Sequence, residues 1–128
     1  MHRVLLVEDN PADQRLFHLA VDANGSDCEV IIADDGDRAL AYLMTGGQAD
    51  LMVLDWRLVR TDGGETLRRL RSSMTHAAMP VVVFSSSQSP AELASAQELG
   101  AAWFRKPIDT TEYFRVVGQI LSSMGVET

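Results

Sequence analysis

Five short apolar runs, Arg3–Val7, Cys28–Ala33, Leu51–Leu54, Pro80–Phe84 and Ala101–Phe104, recur along the chain, each followed by a segment with helix signals. This alternation constrains the fold more than any other feature. The runs are too short to be helices and largely lack a polar/apolar period of two, so they read as strands buried on both faces. Strands that alternate with helices over short connections require a parallel sheet covered on both sides. Right-handed crossovers leave few topologies. The expected fold is a flavodoxin-like, doubly wound α/β domain of five strands and five helices, with strand order 2-1-3-4-5.

The connections support that reading. Asn10-Pro11-Ala12-Asp13 offers an N-cap, a proline in the first turn and an early acid. Asp62 to Glu65, Ser89 to Glu92 and Asp109 to Glu112 repeat the capping pattern. Apolar stripes mark the helices at Leu16, Leu19 and Ala20, at Ala39, Leu40 and Leu43, at Leu67 and Leu70, and at Leu93, Ala96 and Leu99. Residues 1–128 are expected to form one domain, with no output domain following the last helix. A net charge of −7 argues against nucleic-acid binding. No segment is apolar enough to span a membrane, and Met1-His2-Arg3 leaves no room for a signal peptide. The lone Cys28 cannot form an internal disulfide, so a cytoplasmic setting is expected. His2, His18 and His76 show no metal-ligand spacing.

In this topology the carboxyl ends of the strands line one edge of the sheet, where open α/β sheets place their ligand crevice. Glu8 and Asp9 follow strand one, Asp55 follows strand three, Ser85 to Ser87 follow strand four, and Lys106-Pro107 follow strand five. Two unit charges about 4 Å apart cost roughly 4 kcal/mol at an effective dielectric of 20. A hard divalent cation with oxygen ligands would offset that repulsion, and Mg2+ suits a site of one or two carboxylates that keeps its waters. A carboxylate supported in this way can act as a nucleophile on phosphorus. The cation, the Lys106 ammonium and the Ser85 hydroxyl could each take one equatorial phosphoryl oxygen. Lys106 is the only lysine in a chain that otherwise uses arginine. A compact ammonium suits a single oxygen better than a planar fork does.

These residues together resemble a receiver domain of two-component response regulators. The likeness rests on Leu6-Val7-Glu8-Asp9-Asn10, Leu54-Asp55, Asp62-Gly63, Ser85 and Lys106-Pro107, and extends over essentially the whole chain. It implies that Asp55 accepts a phosphoryl group from a histidine of a sensor kinase or phosphotransfer protein. It implies Mg2+ held by Asp9, Asp55 and the backbone carbonyl of Arg57, with Glu8 on a metal-bound water. Ser85 and Lys106 would contact the phosphoryl group, Ser85 and Trp103 would form the switch pair, and a cis bond would precede Pro107. Such a domain is a signalling switch rather than a turnover enzyme, and it acts through a downstream protein.

The chain departs from the family pattern at Val59, where proline is usual, and at Thr61, where an apolar residue is common. Arg57 and Arg60 are expected to place cations beside the site and alter phosphoryl lifetime or donor choice. Tyr113, Val117, Ile120 and Met124 form an apolar stripe, which reads either as a wide core face or as part of a homodimer or docking face of the fourth helix, fifth strand and fifth helix. The segment Val7 to Asp13 and the serine-rich tip also resemble stand-alone receivers that pair with bacterial phytochrome kinases.

Overall fold

A computed structural model describes residues 2–25, 27–87 and 89–123. The elements alternate as β1 (His2–Val7), α1 (Pro11–Ala23), β2 (Cys28–Ala33), α2 (Gly36–Met44), β3 (Leu51–Leu54), α3 (Gly63–Arg71), β4 (Val81–Ser85), α4 (Pro90–Glu98), β5 (Ala102–Arg105) and α5 (Thr110–Ser123). All strand pairs are parallel, and the order is β2-β1-β3-β4-β5, the one expected from the sequence. Strand β1 starts one residue earlier than the sequence reading, and β4 and β5 each start and end one residue later.

The apolar runs form strands because two helical layers cover the sheet. Leu5, Val7, Met52, Leu54 and Val83 face a core closed by α2, α3 and α4. Val4, Leu6, Leu51, Val53, Val82 and Phe84 face a second core closed by α1 and α5. β3 and β4 are buried throughout, whereas β2 and β5 are edge strands with mixed burial. Full burial of each Val or Leu side chain contributes about 1.5–3 kcal/mol, which gives the central strands their hold on the fold.

The helix caps match their sequence signals. Asn10 accepts from the amides of Ala12 and Asp13, Asp35 from Arg38, Asp62 from Gly64, and Ser89 from Glu92. Thr61, polar where the pattern favours an apolar residue, accepts from the Gly36 amide at 2.8 Å and so serves the start of α2. The Arg71 guanidinium donates to the carbonyls of Leu99 at 2.6 Å, Ala77 at 3.0 Å and Met79 at 2.6 Å. It ties the end of α3 to the loops on either side of β4 and α4. Cys28 is partly buried, and burial, with Asp50 and Asp27 nearby, pushes its thiol up to about 11.

Three expectations change. Leu19 is 50% exposed, because the buried face of α1 is Phe17, Ala20 and Val21. The stripe on α5 is not a free docking face: Tyr113, Val117 and Ile120 are buried with Val116 and Leu121 against the sheet and α1. Its last member, Met124, and the stretch after it lie outside the described residues. The Lys106–Pro107 bond is trans, the lower-energy isomer for an X–Pro amide, and no described peptide bond is cis. Among the described residues no helix is long and apolar enough to cross a membrane.

Candidate functional site

Register brings the site together. Val7 of β1 sits opposite Leu54 of β3, so the residues that follow each, Glu8 and Asp55, emerge side by side. The Asp55 amide donates to the Val7 carbonyl at 3.0 Å, which holds the two strand ends in line. On the other flank, Ser85 of β4 pairs with Arg105 of β5, and the Lys106 amide donates to the Ser85 carbonyl at 3.0 Å. Lys106 therefore leaves the sheet pointing along the same edge.

One ligand oxygen each from Glu8, Asp9 and Asp55 lies within 4.8 Å of the others. The Lys106 ammonium is 2.5 Å from Glu8 Oε1, 3.4 Å from Asp13 Oδ2 and 3.5 Å from Asp55 Oδ2. Glu8 is buried, and burial pushes its carboxyl up to about 6, against the pull of Lys106 and with a further push from Asp55. Burial also works to deprotonate Lys106. The charges of Asp55, Glu8 and Asp13 overcome that and hold the ammonium above its ordinary value. Lys106 is thus a permanent cation facing three acids.

The remaining oxygens are steered by backbone amides. Asp9 Oδ2 accepts from the Val59 amide at 2.6 Å, which fixes the loop after β3. Asp55 Oδ1 accepts from the Arg57 amide at 3.2 Å, and Glu8 Oε2 from the Asn10 amide at 3.2 Å. Gly63, after that loop, packs so closely that a Cβ would meet the Asp55 carbonyl at 2.8 Å and Trp56 Cα at 2.7 Å. Its neighbour Asp62 caps α3, so the Asp62-Gly63 pair starts that helix tight against the acid cluster.

Ser85 is buried, and its hydroxyl pairs with the Ser87 hydroxyl at 3.2 Å. Trp103 is half-buried, with its ring 5.4 Å from that of Trp56. Its Nε1 is buried without a partner among the described residues. Arg57 carries its guanidinium away from the acid cluster to Glu92, at 3.2 Å. Arg60 lines a surface cleft with Asp9 beside the acid cluster, and its mostly exposed side chain reaches Asp35, at 4.0 Å. The loop between them turns the two arginines to opposite sides.

The structure brings Glu8, Asp9, Asp55 and Lys106 together and places Ser85 on the adjoining strand end. It adds Asp13, which the sequence presented only as part of a helix start, and Gln14, which the sequence did not single out. Gln14 Nε2 donates to the Glu8 carbonyl at 2.6 Å and to Asp34 Oδ1 at 2.9 Å. Asp13 stands in the first turn of α1, from which its side chain reaches Lys106 at 3.4 Å. Three hard oxygen donors with one ammonium fit a divalent cation better than they fit an empty cluster.

Comparison with known proteins agrees with this geometry. A profile of the response regulator receiver domain matches residues 4–117. The response regulator Rcp1 of Synechocystis is 31% identical, over 98% of this chain and 89% of its own length. The structure of its Mn2+-bound form superposes with a TM-score of 0.86, at 30% identity, over 95% of this chain and 93% of that one. The phosphorylated cyanobacterial phytochrome response regulator RcpA superposes at 0.88, with 31% identity and both chains fully covered. The bacteriophytochrome response regulator AtBRR superposes at 0.76, with 34% identity, over 95% of this chain and 93% of that one.

Proposed function

This chain belongs to the response regulator receiver domain family, and from that premise we propose that it is a phosphoacceptor switch in which Asp55 takes a phosphoryl group from a histidine of a partner kinase. The observation that carries the reading is the meeting of three carboxylates and the sole lysine on one sheet edge, with Lys106 3.5 Å from Asp55.

In the proposed transfer an Asp55 oxygen forms the new bond to phosphorus while the phosphorus–nitrogen bond of the phosphohistidine breaks. The electron pair leaves with the imidazole. The Lys106 ammonium pairs with one phosphoryl oxygen as charge builds. Ser85, already a hydrogen-bonding neighbour of Ser87, supplies a hydroxyl for another. Asp9, Asp55 and the Arg57 carbonyl would hold Mg2+, with Glu8 orienting a bound water; the ion neutralises phosphoryl charge when present. Mn2+ in the related Rcp1 supports a divalent ion here.

Trp103, beside the loop after Asp55, would follow Ser85 when the hydroxyl moves, altering the surface around β5. The protein is then a switch read by a downstream protein partner, with no turnover of an external substrate. The likeness to RcpA and AtBRR points to a phytochrome-type sensor kinase as donor, acting in the cytoplasm. Mass spectrometry after incubation with acetyl phosphate and Mg2+ tests the reading. One phosphoryl group should appear on Asp55 and should be absent in Asp55→Asn. An unmodified wild-type protein overturns it.

A further inference from the structure

Arg57 leaves the phosphoacceptor loop with its amide on Asp55 and its guanidinium on a different element. Its Nη2 lies 3.3 Å from Glu92 Oε1 and 3.2 Å from Oε2. Glu92 stands in the first turn of α4. The Ser89 side chain caps the helix by accepting from the amide of Glu92, at 3.1 Å. The Glu92 carboxylate accepts from the Ser87 hydroxyl at 3.4 Å, and Ser87 in turn meets Ser85 at 3.2 Å. The chain Asp55, Arg57, Glu92, Ser87, Ser85 begins at the proposed phosphoacceptor and ends at the hydroxyl proposed to contact the phosphoryl group.

We propose that Glu92 is a positioning residue for phosphoryl transfer, a latch that holds the Arg57 guanidinium off Asp55 until a phosphoryl group on Asp55 draws it away and frees the start of α4. The proposal rests on Asp55 being the phosphoacceptor. A guanidinium binds phosphoryl and carboxylate oxygens with the same fork, and the phosphoryl group carries more charge. Arg57 is tethered beside Asp55 by its own amide, so only the side chain has to swing. The Arg57 side chain is largely exposed, and pairs of that kind are weak enough to be exchanged. α4 is also the helix with least to lose, since Ala96 is its one buried residue.

The test follows loading of Asp55 by acetyl phosphate in saturating Mg2+. The Asp55 oxygen bonds to phosphorus as acetate leaves with the electron pair. Glu92→Gln should load about two- to fivefold faster than wild type, the range over which an ion pair with one exposed partner can shift an equilibrium. In an Arg57→Ala background the same substitution should change nothing. Hydrogen exchange of the first turn of α4 should rise when the wild-type protein is loaded, and should already be raised in unloaded Glu92→Gln. Equal loading rates for wild type and Glu92→Gln overturn the latch while leaving Asp55 as the acceptor. A gain that persists without Arg57 overturns it too, because Glu92 would then act by its own charge. Failure of wild-type Asp55 to load overturns both readings.

Discussion

The site is decided by a few atoms whose protonation is set by burial. Glu8, pushed up to about 6, takes up a proton as pH falls through that value, whereas a divalent cation requires the carboxylate. A group with a raised value is mostly protonated below it, so the proton competes as pH falls. Apparent Mg2+ affinity should therefore weaken about tenfold between pH 7 and pH 5, in a titration followed by calorimetry. A flat affinity over that range would show that Glu8 takes no part in holding the ion or its water. The sequence put Glu8, Asp9, Asp55 and Lys106 on one edge because each lies within two residues of a strand end, and strand ends share an edge by topology alone. It did not show that Asp13 reaches Lys106 or that Glu92 reaches Arg57. Those contacts depend on how far a side chain extends across a loop, and no period in the sequence records that.

At the level of elements, α3 begins against the loop that carries Asp55. Gly63 allows this approach, since any side chain there would meet backbone rather than a movable group. Gly63→Ala should cost about 1–3 kcal/mol by overpacking, and it should slow loading of Asp55 because the loop must shift. Chemical denaturation and a loading time course check the two effects. Stability unchanged to within a few tenths of a kcal/mol would mean that the loop yields freely. Element type and order were legible from caps and apolar runs. The burial of α5 was not. Its stripe of Tyr113, Val117 and Ile120 reads equally as a core face or a docking face, and the choice is made by the sheet surface of Val4, Leu6, Val53 and Phe84 that it covers.

Over the whole molecule, two cores hold the sheet from both sides while one edge concentrates like charge. A single ammonium faces the cluster of Glu8, Asp9 and Asp55, so in the metal-free protein folding works against repulsion there. Asp55→Asn should raise the metal-free melting temperature by a few degrees, corresponding to about 1 kcal/mol. Wild type should gain on adding Mg2+, by about 2.7 kcal/mol at a hundredfold excess over Kd, and the variant should gain less. Scanning calorimetry of both proteins with and without the ion decides this, and a variant less stable than metal-free wild type would contradict the repulsion argument.

The chain has two tryptophans, Trp56 and Trp103, and their rings lie 5.4 Å apart. Two indoles at that separation couple through their strong far-ultraviolet band, so the far-ultraviolet circular dichroism should carry a couplet that Trp103→Phe removes. One indole rides on the residue after Asp55 and the other on the edge strand, so the protein carries a built-in optical ruler between its chemistry and its rim. Any stimulus that moves one against the other can be timed in solution with no dye attached.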